Sequence, residues 1–284
     1  MRRAGPRMSA ARLHETVIRP PSELVSLDGR ELYRYRHMLL ALVRRNVRLQ
    51  FQELSLGFVW VCARPLVYVL VFSAFRRLAN AEVHVAIPYA LYVYSGLILW
   101  YYVIETTMET AGAVRADAHM MTKVYYPRLI SPVVPILANL AGLALAMIPL
   151  AIMMAWYGIG PGWRVVMLPA VLAQVMGLVM GVGAACAALT LRSRDWERLL
   201  SFVLYVGLFV SPVIYAVDMI PERFRFLYAM NPMAGSLIAF RSALFDPVDF
   251  PLWEWAYASV VSVAVLGLGV AMFRRAESRF ADEL

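Results

Sequence analysis

The chain has 284 residues, of which 61% are hydrophobic and 16% charged, and its formal net charge is +8. With a mean hydropathy of +0.64, this composition excludes an ordinary soluble domain, and several apolar runs approach the roughly 20 residues that span a bilayer. The pattern is that of an integral helical membrane protein. The positive charge does not point to nucleic acid, because its distribution follows the alternation of the apolar runs. The two cysteines, Cys62 and Cys186, lie inside apolar runs without metal-ligand spacing and read as reduced, buried thiols.

In chain order, residues 1–30 read as a flexible tail broken at Pro20-Pro21; MRRAGPRMSAARLHE lacks an apolar core, so no cleavable signal peptide is expected. Residues 31–53 read as an amphipathic interface helix. Leu32, Tyr35, Leu39, Leu42, Val43 and Val47 share one side, whereas Arg34, Arg36, Arg44, Arg45 and Arg48 lie mostly elsewhere, at the level of anionic headgroups. Residues 54–275 hold six expected spans, near Gly57–Phe75, Ile87–Thr110, Pro132–Tyr157, Val165–Leu191, Leu199–Val217 and Leu252–Phe273. Of the 27 Lys and Arg residues, twenty fall in the N-terminal region and alternate connections, and six in the opposite set. The positive-inside rule then puts both termini in the cytoplasm, with residues 276–284 as a cytoplasmic tail.

Between the last two spans, Asp218 can cap a helix starting near Pro221, and Asn231-Pro232 can end it and cap a second reaching about Phe245. Each is too short to cross, so residues 218–246 read as a re-entrant helical pair on the outer face. Ser211-Pro212 is expected to bend the exit of the fifth span.

Catalytic signatures are lacking. Lys123 is the only lysine and no G-x-x-x-x-G-K-[ST] occurs, so this chain does not bind ATP through a P-loop. The histidines form no metal cluster, no nucleophile elbow is present, and the chain does not read as an enzyme. Two spans instead carry helical stripes: Trp60, Arg64, Tyr68, Phe72 and Phe75 in the first, Arg198, Phe202, Tyr205 and Phe209 in the fifth. Such rings either pack against neighbouring spans or line a conduit in which sugar faces stack and slide. Arg64, costly against lipid, should face a cavity, a partner or the headgroups. Glu105 and Glu109 share a face of the second span, where they either pair with arginines, Arg64 among them, or serve a proton-coupled secondary transporter. Gly177 and Gly181 form a G-x-x-x-G that allows close helix packing. The connection from Ala113 to Pro132 can form a short amphipathic helix carrying Met120, Met121 and Tyr125 beside Lys123 and Arg128, suited to docking a soluble partner.

RNVRLQFQELSLGFVWVCARPL, YSGLILWYY, MMTKVYYPRLISP and SPVIY…P…NPM…R, in this order, resemble the permease subunit of ABC-type exporters, in the branch that moves O-antigen, capsule and teichoic-acid polysaccharides. The resemblance implies six spans, a homodimer, two copies of a separate P-loop ATPase that binds ATP and Mg, and a lipid-linked polysaccharide substrate in a bacterial inner membrane. It implies a cytoplasmic gate at Leu56 and Gly57. It also implies an ATPase-coupling helix over 116–128, with Asp117, His119, Met120, Met121, Lys123, Tyr125 and Arg128. External gate helices would include Pro221, Phe224, Tyr228, Asn231 and Pro232. Export of a small drug or lipid is the alternative within the family.

Overall fold

The computed structural model describes residues 33–52, 57–80, 85–121, 126–190, 193–216, 219–221, 223, 228 and 230–283. Every regular element among them is helical: α1 (Arg36–Gln52), α2 (Gly57–Leu78), α3 (Tyr89–Ala116), the single turn α4 (Ala118–Met121), α5 (Ile130–Tyr157), the 3-10 segment η1 (Trp163–Met167), α6 (Leu168–Thr190), α7 (Asp195–Val210), α8 (Pro232–Leu244) and α9 (Leu252–Glu283). The last helix continues through the segment expected as a tail.

Four stretches are long and apolar enough to cross a membrane: Val59–Leu78, Ile130–Tyr157, Trp163–Thr190 and Leu252–Ala276. α3 has 28 residues and is therefore about 42 Å long, but its Tyr, Trp and Glu side chains lower its hydropathy. It forms the core of the bundle, with residues 91–100 all buried. Helices α2, α5, α6, α7 and α8 all pack on it, and α9 makes its broadest contact with α6. That last contact depends on small residues, because a Cβ on Gly181 would lie 2.5 Å from the Val265 carbonyl. Gly177, its partner in the G-x-x-x-G, meets only ordinary contacts, so the pattern located the interface through one of its two glycines.

Two local outcomes follow from backbone chemistry. α5 ends where Gly158 adopts φ 69°, the left-handed conformation that favours glycine at a helix C-terminus. α7 is only 16 residues long and stops at Val210. Ser211 is extended (φ −101°, ψ 155°) and Pro212 cannot donate to continue the ladder. The expected bent helix through Val217 is therefore corrected to a helix that ends at Val210.

α1 behaves as its apolar side predicts. Leu42 is buried with Tyr126, Ile130 and Val134, and Tyr35, Leu39 and Val43 pack around them, while Arg34, Arg36, Arg44, Arg45 and Arg48 stay exposed. The helix thus docks on the start of α5 as well as presenting a basic surface.

Candidate functional site

The first stripe is realised on α2. Tyr68 and Phe72 stack with centroids 6.1 Å apart, and Tyr68 meets Tyr101 of α3 edge-on at 6.2 Å. The Arg64 guanidinium lies 3.9 Å over the Tyr101 ring and donates to Glu105 Oε1 at 2.5 Å. Arg64 thus faces both a partner and a cavity, a cleft of about 300 Å³ bounded by Trp60, Arg64, Tyr101, Glu105, Glu109 and Asn139. Asn139 is the hub of its floor: its amide donates to Glu109 Oε2 at 3.1 Å and Thr106 Oγ1 at 3.2 Å, and its carbonyl accepts from Gln50 of α1. Sequence reading gave Glu105 a partner correctly but missed Asn139 and Gln50, because lone amides carry no spacing signal.

Trp60 and Phe75 are exposed at the two ends of this stripe, and so are Phe202, Tyr205 and Phe209 on α7. α7 reaches α3 through Trp100, whose indole donates to the Leu204 carbonyl at 3.2 Å. Gly207 makes the room, since a Cβ there would lie 2.9 Å from that ring. The two stripes therefore belong to separate helices seated on α3; among the described residues no ring pair joins them.

At the α1 end of the bundle, Asp117 closes α3 and is buried, accepting from Arg45 Nη2 at 3.4 Å. Met120 packs beside α1, where the Arg45 guanidinium also reaches its sulfur. The Tyr126 phenol contacts Ser131 Oγ at 3.3 Å. Burial raises its pKa, while the Ser131 hydrogen bond pulls it back down. An Arg115–Glu197 ion pair ties α3 to the start of α7. His119 is exposed on α4, which also contains Met121, and Arg128 lies in the turn before α5. Gly57 opens α2. Leu56, Lys123 and Tyr125 lie outside the described residues.

At the opposite end, Asn231 caps α8 as expected: its side-chain oxygen accepts from the Met233 amide at 3.0 Å, with Pro232 in the first turn. The other side of the same amide donates to Ser211 Oγ at 2.8 Å, tying α8 to the end of α7. Tyr228 is buried close by, and burial raises its phenol pKa, with Tyr92 adding to the rise and Arg241 opposing it. Pro221 is exposed, and Phe224 lies outside the described residues.

The residue that organises this end is Arg241, the arginine that follows NPM in the last of the quoted motifs. It is 1% exposed. Nη1 donates to the Pro212 carbonyl at 2.6 Å, Nη2 to the Tyr92 and Val213 carbonyls at 2.9 and 3.1 Å, and Nε to Ser95 Oγ at 3.4 Å. Its guanidinium also lies 3.5 Å from the centre of the Tyr92 ring. The rigid five-donor fork thus satisfies the carbonyls that the α7 break leaves without a ladder partner. Gly96 is required beside it, because any Cβ there would overlap the guanidinium.

Residues 37–245 match the family described as ABC-2 type transporter. The chain is 27% identical over 264 residues to the O-antigen export system permease protein RfbA of Myxococcus xanthus, covering 90% of this chain and 98% of that protein. It is 25% identical over 255 residues to a Klebsiella pneumoniae protein of the same name, covering 87% and 95%. It is 22% identical over 242 residues to the capsule polysaccharide export inner-membrane protein CtrC of Neisseria meningitidis serogroup A, covering 83% and 89%. With most of its length matched and its apolar helices assembled around α3, the chain belongs to the ABC-2 type transporter family.

Proposed function

We propose that this chain is the membrane-spanning permease subunit of an ATP-driven exporter of a lipid-linked, O-antigen-like polysaccharide. The observation that carries the reading is the run of Tyr68, Phe72 and Tyr101 rings flanked by exposed Trp60 and Phe75, together with near full-length similarity to a protein named as an O-antigen permease. Stacked ring faces hold sugars without demanding one sequence of hydroxyls, which suits a polymer that must slide.

In this reading α2, α3, α5, α6, α7 and α9 are six spans in the bacterial inner membrane, with both termini cytoplasmic. Two copies assemble, and two copies of a separate P-loop ATPase bind ATP and Mg and dock on residues 116–128. Closure of the ATPase pair pushes that segment, and the Arg45–Asp117 and Arg115–Glu197 pairs pass the motion to α1 and α7. The region around α8 acts as the external gate and Leu56-Gly57 as the cytoplasmic one. The Arg64–Glu105 pairing and the Asn139–Glu109 hydrogen bond support a structural rather than proton-carrying role for both acids.

Deleting the gene should abolish surface polysaccharide while lipid-linked polymer accumulates inside the cell, and the purified chain should carry a P-loop ATPase with it. Unchanged surface polymer, with altered tolerance to small amphiphiles, would replace this reading by drug or lipid export.

A further inference from the structure

We infer that the cleft between α2, α3 and α5 is a subsite for a single uncharged sugar ring and that it discriminates against acidic sugars; the inference rests on the export reading above. A volume of about 300 Å³ is at the lower limit of small-molecule pockets, roughly 300–1,000 Å³. It fits one ring and not a folded oligomer.

The wall chemistry selects the ligand. Trp60 supplies an exposed flat ring, and Glu105, Glu109 and Asn139 supply acceptors and donors in the same lining. Ring hydroxyls both donate and accept, so they can use carboxylates and amides together. A carboxylate or phosphate can only accept. Against Glu105 and Glu109 the lining sets a single guanidinium, Arg64, which donates from Nη2 to Glu105 and lies 3.9 Å over the Tyr101 ring, so an entering anion meets one more acid than base. It would face Glu109, whose hydrogen-bond partner Asn139 is a neutral amide that itself accepts from Gln50. Arg45 on α1 pairs with Asp117 and does not line the cleft.

The polar set also explains why these groups sit at membrane depth. Glu105 and Glu109 lie in the half of α3 nearer Ala116, which is the cytoplasmic half in the proposed orientation, where ionisable groups without a ligand or partner are costly. A hydroxyl-rich ring arriving at the cytoplasmic half meets this cleft before the Tyr68–Phe72 stack higher on α2. The subsite thus tests each residue of the polymer for charge before the sequence-tolerant rings take over.

Methyl α-glucoside and methyl α-glucuronide differ only at C6, where a CH₂OH group becomes a carboxylate, and form a matched pair of probes. Saturation-transfer NMR on the full chain in nanodiscs should give at least about tenfold tighter binding of the glucoside, as expected from one uncompensated charge in a partly desolvated site. Glu109→Gln should bring the two probes within about threefold of each other by admitting the glucuronide. Equal binding of both probes to the unaltered chain, or binding of neither, overturns the inference. So does a preference that survives both Glu109→Gln and Glu105→Gln. Because the unaltered chain alone decides the first comparison, misfolding of a variant does not remove the test. Surface-polymer export is scored separately, so normal export without a probe preference discards the cleft alone, and loss of the export reading is recognised by unchanged surface polymer in the deletion strain.

Discussion

Arg241 shows how much one side chain can hold. Removing it would take a donor from each of the Pro212, Val213 and Tyr92 carbonyls. Pro212 would keep the Tyr92 hydroxyl and Tyr92 the Ser95 hydroxyl, so Val213 is the group left unpaired, at a cost of about 1–3 kcal/mol. Arg241→Ala should therefore lower the thermal midpoint of the detergent-solubilised protein sharply, and an unchanged midpoint would remove the organising role. Arg241→Lys keeps the charge but not the fork and should recover only part of the loss. Gly96→Ala displaces the same guanidinium, so its effect and that of Arg241→Ala should be strongly non-additive in a double-mutant cycle, whereas independent sites would add. On α2, replacing Tyr68 and Phe72, together with Phe209 on α7, by alanine should slow polymer export in cells without reducing copurification of the ATPase. Undiminished export by this triple variant would rule out the aromatic conduit.

At the scale of elements, the proposed coupling machinery is a set of tethers between helix ends. The Arg45–Asp117 pair joins α1 to the turn after α3, with Asp117 buried and Arg45 half in water. Such a pair contributes little to stability on its own, so its value lies in registering the two elements. Asp117→Arg and Arg45→Asp should each reduce ATP-driven export severalfold, and the combined swap should restore much of it. Equal defects in the swap and the single variants would show that the pair does not transmit motion. The elements themselves differed in how readable they were. α1, α2, α5, α6 and α9 announced themselves by apolar length or period, and the Asn231-Pro232 cap marked the start of α8. The end of α7 was misplaced because Pro212 can either kink or terminate a helix, and only the tertiary acceptors around Arg241 decide which. The Arg64–Glu105 pair was legible from charge at matching depth. The Asn139 hub was not, since its partners lie on α1 and α3, far apart in sequence.

For the whole molecule, α2 is the least enclosed of the four long apolar stretches, with 11% of its most apolar window buried. Leu70, Phe75 and Leu78 project outward from it. In the proposed homodimer this face meets the second copy or lipid, and cysteines at Val67 and Leu70 should form an intersubunit crosslink in membranes if it meets the copy. Absence of crosslinking across this face would assign it to lipid. Accessibility labelling at both termini from the cytoplasm alone would support the orientation read from the arginines; labelling from outside would reverse it.

The short α7 has a further consequence, in the bilayer around the protein. Sixteen residues reach about 24 Å, against a hydrocarbon thickness of roughly 30 Å. Beyond Val210 the chain continues as irregular backbone whose carbonyls are satisfied by Arg241 rather than by a helical ladder, a solution tolerated at membrane depth only where protein covers it. With α7 as one of the six proposed spans, the lipid beside it must thin to match it, at a fraction of a kcal/mol per Å. Reconstituted export should run fastest in bilayers of short acyl chains and slow as the chains lengthen, making membrane thickness a control on the transporter that no ligand supplies.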